Sequence, residues 1–164
     1  MWAGAESQRS QIREAGLELA PGELLAAAAG RGALLEGITM VLLLTSEDDF
    51  NALAVTILQG NVDGPVYRLR PELPGQGVVA PYTGGETLFG AELTRPAVIR
   101  RYRDGARVAA RPGHDPLPAA SEALFLIRAD GRLVPVTEHT RPAPQDGDTA
   151  VFLEPRPTEQ ERTR

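Results

Sequence analysis

The segment that most constrains the fold is an apolar run, Thr39 to Leu44, followed at once by Thr45-Ser46-Glu47-Asp48-Asp49-Phe50-Asn51. An unbroken apolar run of this length suits a strand buried on both faces, as in a parallel sheet covered by helices. Gly37 and the Thr45-Ser46 pair punctuate it too closely for a helix. Thr45 or Ser46 is placed to cap a following helix, and Glu47, Asp48 and Asp49 fall in its first turn, where the helix dipole favours carboxylates. Phe50, Leu53, Ala54 and Ile57 share one face at helical spacing, and Gly60-Asn61 ends the helix. Val66 to Leu69 reads as the next strand.

The same alternation extends upstream. Ala5 to Ala15 is helix-compatible with Gly16 as its C-cap, Leu17 to Ala20 is a short strand, and Glu23 to Ala29 is a short helix. Gly32 and Gly37 bracket a turn or a second short helix. Helix and strand alternating in this way point to a parallel sheet. After Arg70 the texture changes. Pro71 to Gly77 reads as a linker, Val78 to Ala80 as a short apolar stretch, and Pro81 to Gly85 as a turn. Glu86 to Leu93 fits a helix limited by Thr94-Arg95-Pro96, whereas Val98 to Tyr102 fits a strand or a helix equally. Pro112 to Pro118 is a second linker.

The last third carries a β pattern. Ala123 to Arg128 is a strand, Ala129-Asp130-Gly131-Arg132 a hairpin turn, and Leu133 to Val136 the return strand, whose Pro135 assigns it to an edge. Pro142 to Gly147 turns again and Asp148 to Leu153 is a third strand. The organisation expected is 1–70 as an α/β half-domain, 71–120 as linker with a short α/β segment, 121–155 as a small β unit, and 156–164 as a disordered tail.

Composition narrows the function classes. The 164 residues carry 17 basic against 22 acidic side chains, a net charge of -5, which disfavours generic binding to nucleic acid or to an anionic membrane. All the basic residues are Arg; without Lys there is no phosphate-loop lysine and no Schiff-base chemistry. Without Cys there is no disulfide, thiol catalysis or zinc-thiolate site. The apolar run is far short of the ~20 residues of a membrane helix, so direct membrane insertion is not expected. The N-terminus lacks the pattern of a signal peptide.

Isolated motifs are weak. Gly30-Arg31-Gly32 and Gly75-Gln76-Gly77 do not join a strand to a helix as a dinucleotide loop requires. Ser121, His114 and Asp115 have no nucleophile-elbow context, and Glu138-His139 lacks paired metal ligands. Glu47, Asp48 and Asp49 suit a helix first turn better than a cation site. The arginines at 95, 100, 101, 103, 107 and 111 form a local basic cluster, either a solvated face or a surface for acidic or phosphate groups.

The segment Leu42 to Val55, a strand followed by Thr-Ser-Glu-Asp-Asp-Phe-Asn and a helix, resembles the fourth strand and following helix of the regulator of K+ conductance domains, also called TrkA-N domains. Thr45, Asp48 or Asp49, and Asn51 fall on that family's motif. Arg9 to Glu23 is similar to its helix and third strand, with Gly22-Glu23 in place of Gly-Asp. Gly37-Ile38 is similar to the turn before the fourth strand, and Pro65 to Arg70 to the fifth strand. Ala123 to Pro155, with Asp130-Gly131, Pro135 and Gly147-Asp148, is similar to the small β unit that follows these domains. The nearest likeness is to the cytosolic tail of bacterial NhaP-like monovalent cation:proton antiporters, and it is weak over Pro71 to Ala120.

The resemblance implies a partial Rossmann-like parallel sheet with flanking helices and a TrkA-C-like C-terminal β unit. It implies a non-enzymatic cytoplasmic module that regulates a K+ or Na+/H+ transporter, held at the inner face of the membrane through that partner. The family binds NAD(H) or adenine nucleotides, and the carried-over positions here are Gly22, Glu23, Thr45, Ser46 and Asn51. The family's first strand, Gly-rich phosphate loop and acidic residue after the second strand have no counterpart in the chain, which reads as N-terminally truncated. The rival expectation is therefore an interaction or homodimerisation module that has lost nucleotide binding, its open sheet completed by a partner. A nucleotide-using enzyme built on Asp48 or Asp49 is the third reading.

Overall fold

The computed structural model describes residues 1–3, 5–24, 26, 35–70, 84–90 and 92–156. These form α1 (Glu6–Glu14), β1 (Val41–Leu43), α2 (Asp48–Leu58), β2 (Val66–Arg68), β3 (Glu86–Thr87), α3 (Arg95–Arg103), β4 (Arg107–Pro112), β5 (Glu122–Ile127), β6 (Leu133–Pro135) and β7 (Thr149–Glu154). The fold is mixed α/β. A parallel sheet has the order β1-β2-β3, and a separate antiparallel sheet has the order β4-β7-β5-β6.

The apolar run does become a strand, trimmed to three residues, and it pairs in parallel with β2 from Val41↔Val66 to Leu43↔Arg68. Parallel neighbours need a long crossover, and α2 supplies it. Its buried face is Asn51, Ala54, Val55 and Leu58, one residue round from the expected Phe50-Leu53-Ala54-Ile57 face, and Leu53 is 47% exposed. The shift follows from Asn51, whose side chain is drawn inward. Leu43, Ala54, Val55, Leu58 and Val66 close the first core, with Trp2, Val41, Phe50 and Ile57 against it. The tightest joint is at Gly64, where an added Cβ would overlap the Thr39 carbonyl just before β1.

Several expectations are corrected. α1 ends as read, in a Schellman motif: Gly16 N–H reaches Arg13 O and Leu17 N–H reaches Ile12 O, with Gly16 at φ +69°. Leu17 to Ala20 is not a strand; it is an extended segment tied to Met1, whose ammonium donates to Glu18 O and whose carbonyl accepts from Ala20. Glu86 to Leu93 is not a helix. Leu88 N–H is claimed by Arg68 O, which extends β3 alongside β2. Thr94-Arg95-Pro96 opens a helix: Thr94 caps α3 by accepting from Ala97 N–H, and Pro96 sits in the first turn, where its missing N–H costs nothing. Val98 to Tyr102 is therefore helical. Arg107–Pro112 is β4 and pairs with β7, so Pro112 belongs to a strand and not to the second linker. Glu154 belongs to β7. Most of the Glu23–Ala29 helix, the Pro71–Gly77 linker, Val78–Ala80 and the tail from 157 on lie outside the described residues.

The antiparallel sheet obeys simple register logic. Val136 N–H donates to Leu124 O, so the neighbouring pair Phe125↔Pro135 is non-hydrogen-bonded and the missing N–H of Pro135 faces away from β5. The hairpin closes through Arg128 and Arg132, with Gly131 at φ +85°. The two sheets meet along a seam. Leu88 bridges Thr137, Phe89 N–H donates to Val136 O and Glu138 N–H to Thr87 O. Beneath it lies the second core of Leu69, Leu88, Leu93, Ala106, Leu124 and Leu153, with Phe89 packed edge-on to Phe125 at 5.4 Å. Phe89 holds φ +65°, a conformation that costs a bulky residue about 1–2 kcal/mol and that its burial must offset.

Candidate functional site

The carboxyl end of a parallel sheet is where open α/β folds place ligands. Here it is formed by Thr45 and Ser46 after β1 and by Arg70 after β2, each two or three residues beyond the paired Leu43 and Arg68. Arg70 is in an ion pair with Glu138, so the seam to the antiparallel sheet lies at this same end. On neighbouring strands, Tyr67 and Glu86 are register partners, and burial first, then the Glu86 carboxylate, raises the phenol above its ordinary range.

Thr45 and Asn51 are brought together. The Thr45 hydroxyl donates to Asn51 Oδ1 at 2.8 Å, and Asn51 Nδ2 returns a bond to the Thr45 carbonyl at 3.2 Å. Asn51 is 1% exposed. Thr45 Oγ1 also accepts from Glu47 N–H at 3.2 Å, so Thr45 braces the helix start from outside it. The cap position itself is Glu47, not Thr45 or Ser46, and its side chain makes no capping bond. Ser46 is exposed. Gly22, at φ +70°, and Glu23 lie in the turn before residue 24, and among the described residues no hydrogen bond links them to Thr45, Ser46 or Asn51. Asp48 and Asp49 occupy the first turn of α2 as expected. They already complement its positive end, so an added anion there meets three carboxylates, Glu47 included.

A second constellation was legible only as the Gly147-Asp148 match. Asp148 is 4% exposed, and its carboxylate accepts from Arg128 Nη1 at 2.7 Å, Gln145 N–H at 2.7 Å and Ala129 N–H at 3.2 Å. Burial works against its charge. The bonds from Gln145, Arg128 and Ala129 outweigh burial and hold the carboxyl below its usual range. Arg128 also reaches Ala143 O, so the knot fastens the β5–β6 hairpin to the turn before β7. Beside it lies a shallow cleft of about 400 Å³ bordered by Arg111, His114 and Thr149.

Among the described residues no group of three His, Asp or Glu is arranged to hold a metal ion, and no helix is long and apolar enough to cross a membrane. Comparison with known proteins finds no matching family model, no similar curated protein and no similar solved structure.

Proposed function

We propose that this chain is a non-catalytic regulatory module and that it regulates a monovalent cation transporter, K+ or Na+/H+, from the cytoplasmic side. The observation that carries the regulatory part is the seam. Leu88, Phe89 and Glu138 tie β3 to both sheets, so a partner that displaces one sheet changes the contacts of the other. Population shift needs an element with two arrangements, and the seam is where a partner would act on one. The transporter part rests on the resemblance carried by Thr45, Asn51, Asp130-Gly131 and Gly147-Asp148. It agrees with the β1-α2-β2 crossover leading towards a β unit, read as a partial Rossmann-like sheet. Three partners fit this reading: a transporter subunit, a half-domain that completes the sheet, or a second copy of the chain.

The test is genetic. Deleting the gene is expected to move the growth limit of its own host in low-K+ or high-Na+ medium, and restoring it is expected to move the limit back. Unchanged growth in both media counts against the reading.

A second reading, docking without a nucleotide, is favoured by the Thr45–Asn51 pair. The polar groups that a nucleotide would use are bonded to each other, and Glu47, Asp48 and Asp49 oppose a phosphate at the start of α2.

A further inference from the structure

The two outer strands of the paired system differ. Among the described residues β1 is three residues long, whereas β4 offers six at the far side of the antiparallel sheet. Gly113 N–H donates to Asp148 O at 2.7 Å, which makes 113/148 a hydrogen-bonded pair. Antiparallel pairs alternate, so 111/150, 109/152 and 107/154 also bond inward to β7. The N–H and C=O groups of Val108 and Ala110 therefore point away from the sheet, and no described residue bonds them. Val108 is 62% exposed.

The rim of this edge is basic. Arg107 stacks its guanidinium 4.9 Å from the Tyr102 ring, and Tyr102 is itself 58% exposed. Arg103, one residue on, has no ion pair with any described residue. The Arg156 side chain lies against Gly105, in the turn that feeds β4. Arg111 is not part of this rim: its Nη1 donates to Pro116 O at 2.6 Å and its guanidinium lies 5.1 Å from the Phe152 ring of β7. Asp104 and the cross-strand Glu154 are acidic groups beside the rim, and Arg103, Arg107 and Arg156 outnumber them. Pairing of β4 with a second copy about Val108 and Ala110 would set Arg107 opposite Arg111 twice, a repulsive register.

We infer that β4 accepts an extended acidic segment of a partner protein as a fifth strand. Main-chain bonds to Val108 and Ala110 supply the pairing, and carboxylates on the added strand meet the arginine rim. This does not depend on the transporter reading, because it concerns a different edge and carries its own readout.

The test uses the full chain, isotope-labelled, and two capped hexapeptides, alternating Glu-Val and alternating Lys-Val, followed by amide NMR. The Glu peptide is expected to shift the Val108 and Ala110 amides saturably, with the Lys peptide having no such effect. An Arg103→Glu, Arg107→Glu variant is expected to bind the Glu peptide about tenfold more weakly. Val108→Pro removes one outward N–H without touching a β7 bond and is expected to weaken binding with the β7 amides unmoved. No saturable shift, equal binding of both peptides, or concentration-dependent self-pairing at Val108 and Ala110 overturns the proposal.

Discussion

Thr45 and Asn51 hold each other across the start of α2, through a 2.8 Å bond from the Thr45 hydroxyl to Asn51 Oδ1 and a return bond from Asn51 Nδ2 to the Thr45 carbonyl. The pair fixes where β1 stops and α2 begins. It turns Asn51 into the core and rotates the buried face of α2 by one residue. Replacing Asn51 with Leu takes away the Asn51 partners of the Thr45 hydroxyl and the Thr45 carbonyl. The expected cost is about 1–3 kcal/mol in urea denaturation. Thr45→Val is expected to destabilise as well, and the double variant to cost less than the sum, with a coupling of at least about 0.5 kcal/mol. Strict additivity would mean that the two side chains do not act as a unit.

Acid sensitivity should trace to Asp148. Its folded pKa lies below the unfolded value, so its contribution is fully present above the ordinary Asp range and is lost as pH falls through the folded pKa. The midpoint of denaturant unfolding is therefore expected to drop as pH is lowered below about 4. Asp148→Asn is expected to be less stable than wild type at pH 7 and to lose less on acidification. An unchanged acid limb in the variant would remove Asp148 from the explanation.

Gly64 answers to sterics. The Thr39 carbonyl occupies the space a Cβ would need, and the next residue, Pro65, accepts from Val41 N–H at 3.1 Å. Gly64→Ala must part the chain where it enters β1 and β2, at an expected cost of about 1–3 kcal/mol. Gly60→Ala, which meets nothing within 4 Å, is the control and is expected to be far milder.

Nucleotide binding tests the second reading, docking without a nucleotide. With Thr45 and Asn51 bonded to each other and three carboxylates at the helix start, titration calorimetry of the chain with NAD+, NADH, ATP or ADP is expected to show no saturable heat. Asn51→Ala is a poor control because it breaks a buried link; exposed Ser46, changed to Ala, is the better one. Saturable binding that Ser46→Ala weakens would restore the α2 start as a ligand site.

Strands with strong local signals were legible in the sequence. The Thr39–Leu44 run, the Asp130-Gly131 hairpin and the edge Pro135 all gave the correct element or neighbourhood, because their cues are local. β4 was missed because Arg107-Val108-Ala109-Ala110-Arg111-Pro112 has too little apolar alternation; pairing with β7 makes it a strand. Glu86 to Leu93 misled because two-sided pairing at Leu88 is non-local. At the candidate site, Thr45 and Asn51 were legible as a motif, but their mutual bond was not: a motif shared with a ligand-binding family looks the same whether its polar groups face a ligand or each other. Arg128 and Asp148 lie 20 residues apart, and only the folded hairpin joins them.

The most direct measurement of the regulatory claim uses inverted membrane vesicles from host cells that lack the gene, with K+- or Na+-driven proton movement followed by a pH-sensitive dye. Adding back the purified chain is expected to change the rate in a saturable way, and the Asp148→Asn variant to do so less effectively. A rate that stays the same at every concentration of the chain, with either cation, would contradict the account.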